Sequence, residues 1–141
     1  MQCVMDDLFE KVTKNIREEL GDNYTREVPL QNWGRRRLGP RFLGVFAQDE
    51  FDDVRLRPNT CLVANNKPRA QGGEHWVAVT CDDEGVEREW DSFNRVDVLG
   101  EGFPSAQNGD ADQVISEDDC GPRCLAYLSI WSISPALANK I

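Results

Sequence analysis

The chain has 141 residues and a net charge of −9, from 16 Lys and Arg against 25 Asp and Glu; 40% of it is hydrophobic, with four Trp. This is the length of one domain with enough apolar content for a core, so a disordered segment is excluded, and the charge argues against general nucleic-acid binding. No stretch approaches the length of a membrane span and the N-terminal MQCVMDDLFEK lacks a signal-peptide apolar region. The five Cys, an odd number with no secretory signal, point to free thiols in a reducing intracellular compartment.

Residues 7–20 read as an amphipathic helix. Leu8, Val12, Ile16 and Leu20 recur every four residues and Phe9 widens the stripe. Asp7 with Glu10 resembles a capping box, and Gly21 stands where a C-terminal glycine belongs. Residues 21–41 read as irregular and carry Arg35, Arg36 and Arg37, either a solvated loop or a footing for an acidic partner. The charge is segregated: residues 31–41 hold four Arg and no acid, whereas residues 110–119 hold five acids and no base. Residues 42–46 form a short apolar patch, residues 49–59 a charged loop, and residues 61–64 a buried strand. After a breaker-rich loop at residues 65–73, residues 75–81 and 86–93 read as two strands of a hairpin closed by a turn at residues 82–85. Residues 101–112 read as loop and residues 113–115 as one more short strand.

The stretch QVISEDDCGPRCLAYLSIW, residues 113–131, organises the rest. Pro122 is tolerated only in the first turn of a helix, and Cys124, Tyr127, Leu128 and Trp131 recur at the period of one helix face. The helix therefore starts near Asp118 or Asp119, both good N-caps, with Cys120 at its first or second position and Pro135 ending it. There the helix terminus is expected to lower the Cys120 pKa, with Glu117, Asp118 and Asp119 turned to solvent. Taken alone, Cys120 reads first as a small core residue, and its partners must decide otherwise.

His75 is the one histidine, so a cysteine nucleophile on this chain has that base or no histidine at all. Asp91, sixteen residues on, is an acid among apolar residues of the partner strand and is the sharpest candidate to orient His75; Glu74 and Glu89 compete but are expected in solvent. The Cys120 backbone N–H and the Gln113 amide, seven residues upstream, are candidate oxyanion donors. Each residue alone has a structural reading; the order His, Asp, Gln, Cys is what joins them.

That order, with Gly-Gly-x-His-Trp, an apolar-Asp-Ser-Phe strand, and Gln followed after six residues by Cys-Gly-x-x-Cys, resembles the adenovirus-type cysteine proteases, the adenain family, related to the SUMO-specific proteases of the same clan. The likeness extends upstream through residues 38–44 and 62–65 and covers roughly residues 38–131. It implies an α+β fold: a small mixed sheet packed on a central helix with the nucleophilic Cys at its N-terminus, plus an added N-terminal helix. Residues 1–31 would be an extension packed on a protease domain at residues 32–141, globular as a whole. It implies His75 as general base, Asp91 as its orienting acid, Cys120 as nucleophile, Gln113 at the oxyanion, Trp76 packed beside them and Cys124 in the core.

The resemblance further implies an endopeptidase acting at Gly-Gly-like motifs of viral precursor proteins, capsid precursors among them, in the host nucleus and virion, as a monomer without a membrane or a metal. The chemistry requires no cofactor. The family's activating peptide forms a disulfide with a cysteine that residues 92–112 lack, and its DNA stimulation would find footing here only at residues 35–41 of an acidic chain. The alternatives are a deSUMOylase or deubiquitinase with the same catalytic set, a same-clan acyltransferase, and a non-enzymatic interaction or redox domain.

Overall fold

A computed structural model describes residues 2–21, 26–67, 75–92, 99 and 120–141. The described chain is mixed α and β. Its helices are α1 (Gln2–Leu20), α2 (Glu27–Leu38), α3 (Gln48–Phe51), α4 (Cys120–Ile133) and α5 (Pro135–Ala138), and its strands are β1 (Phe42–Phe46), β2 (Thr60–Asn65), β3 (Trp76–Cys81) and β4 (Glu87–Trp90). The strands form one sheet in the order β1-β2-β3-β4, with β1 parallel to β2 and the other two pairs antiparallel.

Every residue of β2 and β3 is buried, as a pair of central strands covered on both faces requires. One face carries Cys61, Val63, Trp76, Ala78 and Trp90 into a core shared with α4, α1 and α2. The other carries Leu62, Ala64, Val77 and Val79 against Phe51 of α3 and Leu99. Helix α4 is apolar nearly all round, and its first nine residues are all buried. Such a helix belongs in the centre of the molecule rather than on its surface. It lies between the sheet and α1, with α2 alongside.

Helix α1 starts at Gln2, so Asp7 and Glu10 lie inside it and form no capping box. Of the expected stripe, Phe9 and Ile16 are buried and Val12 and Leu20 pack partly buried against the core, while Leu8 is left out. Met5, Phe9, Thr13 and Ile16 are buried, whereas Leu8 is 42% exposed. Phe9 decides the rotation: its ring meets Trp90 edge-on at 5.6 Å and lies under the Arg123 guanidinium. Thr13 tolerates that face because its hydroxyl donates to the Phe9 carbonyl at 2.8 Å.

Residues 27–38 are helical, not irregular, and a division at residue 31 falls inside α2. Arg35, Arg36 and Arg37 stand exposed in its last turn, where cations suit the helix terminus. Tertiary contacts hold this helix. Trp33 Nε1 and Arg37 Nη2 both donate to Glu19 of α1 at 2.6 Å, and the Gln31 side-chain oxygen accepts from the Val45 amide at 3.2 Å. Gly34 lets α2 rest on β1: a Cβ there would fall 2.3 Å from the Phe42 ring. Gly34→Ala is therefore expected to cost about 1–3 kcal/mol of stability by overpacking, against its gain in helix propensity, as denaturant unfolding would measure.

The apolar patch at residues 42–46 is strand β1, and the segment after Pro135 is a further helical turn capped by Ser134, whose Oγ accepts from the Leu137 amide. Among the described residues, no helix is long and apolar enough to cross a membrane.

Candidate active site

The β3–β4 hairpin aligns the first two residues of the site. Its turn is encoded locally: Asp82 Oδ1 accepts from the amides of Glu84 and Val86, both at 2.9 Å, and Gly85 takes a positive φ of 84°. The resulting register pairs Cys81 with Glu87, Val79 with Glu89 and Ala78 with Trp90. His75 directly precedes β3 and Asp91 directly follows β4, so the hairpin brings both to its open end, away from the turn. The imidazole Nε2 of His75 and Asp91 Oδ1 are hydrogen-bonded to each other. Both residues are buried, His75 at 3% and Asp91 at 0% exposure. Asp91 follows β4 rather than lying within it.

Helix α4 delivers the third residue. It begins at Cys120, with Gly121 and Pro122 in its first turn, where a missing N–H leaves no intrahelical bond unmade. Strand β4 ends at Trp90, opposite Ala78, so Trp76 lies beyond its ladder. There the sulfurs of α4 meet the Trp76 backbone. The Trp76 N–H donates to Cys120 Sγ at 3.4 Å, and the Cys124 thiol donates to the Trp76 carbonyl at 3.3 Å. One turn of helix thus grips both polar groups of the residue next to His75. Cys124 is fully buried and holds a structural place, as expected.

The expected depression of the Cys120 pKa is not found. Burial pushes the thiol up, to about 11; the amides of Trp76, Gly121 and Cys120 itself pull it down by less, and the Asp91 carboxylate adds to the rise. The helix terminus acts in the anticipated direction and desolvation outweighs it. Cys120 is accordingly a neutral thiol at neutral pH.

The same burial has a consequence for stability. Cys61 is raised to about 12 and Cys120 to about 11, from an ordinary value of 9.0. A group that holds its proton more tightly folded than unfolded stabilises the fold below its unfolded pKa, and that contribution is lost as pH rises through the folded pKa. Unfolding free energy is therefore expected to fall between pH 9 and about 12, by about 3 kcal/mol for Cys120, a figure that denaturant titrations across that range would check.

Of the expected site residues, His75 bonds Asp91 and the Trp76 amide bonds Cys120. Gln113, Glu74, Glu117, Asp118, Asp119 and the short strand at residues 113–115 lie outside the described residues. Glu89, expected in solvent, is fully buried and accepts from the Leu99 amide at 3.0 Å, because the β4 alternation turns it onto the face that Leu99 covers. Two residues not anticipated at the site are Arg123 and Glu10. Arg123 Nη1 and Nη2 donate to the two Glu10 carboxylate oxygens at 2.8 and 3.2 Å. An arginine inside an apolar helix was the one signal in the sequence. Among the described residues, no three His, Cys, Asp or Glu gather as metal ligands. No protein-family model matches the chain, and no curated protein matches it.

Proposed function

We propose that the chain is a cysteine endopeptidase of the adenain type, acting on polypeptides at small Gly-Gly-like motifs and maturing viral precursor proteins. The observation that carries this reading is the buried His75–Asp91 pair, one residue from a backbone amide that touches the sulfur of Cys120 at the start of α4. A base, its orienting acid and a nucleophile at a helix terminus form the set that acyl transfer by a thiol requires.

In this reading Asp91 fixes the imidazole through Nε2, so that proton exchange with the thiol runs through Nδ1. Because the resting thiol is neutral, His75 acts as a general base during attack rather than holding a preformed thiolate. The sulfur adds to the scissile carbonyl, and the oxyanion takes hydrogen bonds from the Cys120 backbone N–H and the Gln113 amide. His75 then gives its proton to the leaving amine as the C–N bond breaks. Water, losing a proton to His75, hydrolyses the thioester, releases the new carboxyl terminus and restores the thiol. Selectivity for glycine follows if side chains beyond Cβ clash beside the scissile bond.

The test is incubation of the purified chain with a peptide containing Gly-Gly, with products read by mass spectrometry. Cleavage after or within that motif, lost on Cys120→Ala, is the expected result. Preferential labelling by a ubiquitin-like protein with a reactive C-terminus would move the substrate to a folded modifier. A transferred acyl group would indicate acyltransfer, and no Cys120-dependent product with either probe would refute the enzyme reading.

A further inference from the structure

We infer that α1 is a positioning element for the site, acting at once on the nucleophile helix and on the strand that precedes the acid. The inference rests on the proposed reading of Cys120, His75 and Asp91. Two consecutive residues of α1 make the two connections. Glu10 takes both Nη groups of Arg123, three residues past Cys120 in the first turn of α4. Phe9 lies under the same guanidinium, 5.4 Å from its centre, and meets Trp90, the residue before Asp91, edge-on at 5.6 Å.

The Arg123 side chain is 8% exposed, and its planar fork sets direction as well as distance. Arg123 is thereby fixed relative to α1, and with it the turn that holds Cys120 Sγ against the Trp76 amide. Trp90 also stacks on Tyr127 of α4, at 4.7 Å with the rings 10° from parallel. One turn of α1 therefore holds the element that starts with Cys120 and the element that ends beside Asp91. The contact of α1 with α2 is separate: Glu19 accepts from Trp33 and Arg37, at the far end of α1.

That separation supplies the control. Glu10→Gln and Arg123→Lys are compared with Glu19→Gln, which loosens α1 away from the site. Three quantities are measured: melting temperature, exchange and chemical shift of the Trp76 amide proton by NMR, and kcat and KM for the Gly-Gly peptide. Glu10→Gln is expected to speed Trp76 amide exchange and lower kcat, each about ten-fold, with KM unchanged. Arg123→Lys keeps the charge without the fork and should fall between Glu10→Gln and wild type. Glu19→Gln should lower the melting temperature while leaving the Trp76 amide and kcat unchanged. If Glu10→Gln and Glu19→Gln affect amide exchange and kcat only in proportion to their loss of melting temperature, α1 is packing alone and the inference falls. Absence of cleavage by wild type would overturn the enzyme reading instead, and the Trp76 amide would still decide whether α1 positions the thiol.

Discussion

Cys120→Ala is expected to abolish peptide cleavage while leaving the fold in place. The loss should be on the order of 10⁴-fold or more, down to what binding and the oxyanion donors provide without a nucleophile. The structural cost is small by comparison: one sulfur acceptor for the Trp76 N–H and a small cavity at the head of α4, together about 1–2 kcal/mol. Cys124→Ala is the matching control, because it also removes a sulfur from the Trp76 backbone but leaves Cys120, the proposed nucleophile. It should destabilise at least as much and reduce cleavage by less than about ten-fold. A structural role for both sulfurs would make the two variants alike in activity, in proportion to their stabilities. Cys120→Ala also links the site to the alkaline behaviour: the part of the stability loss that arises from a thiol raised to about 11 should vanish with that thiol, while the part from Cys61 persists.

What the sequence makes legible follows from how locally each feature is determined. The meeting of His75 and Asp91 is legible because the Asp82–Gly85 turn fixes the hairpin register, and the register brings the two ends that carry them side by side. The helix from Cys120 onward is legible because Pro122 is tolerated only in a first turn and an apolar period follows it. Helix α2 is not, since Pro29, Gly34 and three arginines interrupt any apolar period and the segment is held by Glu19, Phe42 and Val45 from elsewhere in the chain. The phase of α1 was ambiguous for a different reason. Leu8, Val12, Ile16 and Leu20 with Phe9 make a broad stripe, and the contacts of Phe9 with Trp90 and Arg123 centre it toward Met5 and Phe9 and leave Leu8 at its exposed edge. The Cys120 ionisation is not legible in the sequence because helix-terminus stabilisation is local to the chain, whereas the desolvation that outweighs it depends on the whole core. Glu10 and Arg123 stand 113 residues apart, beyond any local pattern.

Asp91→Asn should separate ionisation from turnover. Asp91 is fully buried, bonds His75 Nε2 and raises the Cys120 pKa. Removing its charge alone lowers the cost of forming a thiolate nearby, so the pH midpoint for alkylation of Cys120 should move below about 11. Cleavage should move the other way. An asparagine that turns its NH₂ toward Nε2 places the imidazole proton on Nδ1, where the ring can no longer accept a proton from the thiol. Turnover is expected to fall on the order of 10²- to 10⁴-fold. Stability should also drop, by up to about 3–5 kcal/mol if the His75 ring is left without its partner. A thiol that ionises more readily in an enzyme that turns over more slowly is the signature of a base held in the right tautomer by Asp91. If alkylation and cleavage were to fall together, Asp91 would instead be stabilising an imidazolium–thiolate pair in the resting protein; if cleavage were unchanged, Asp91 would be a buried structural acid and His75 would need another partner.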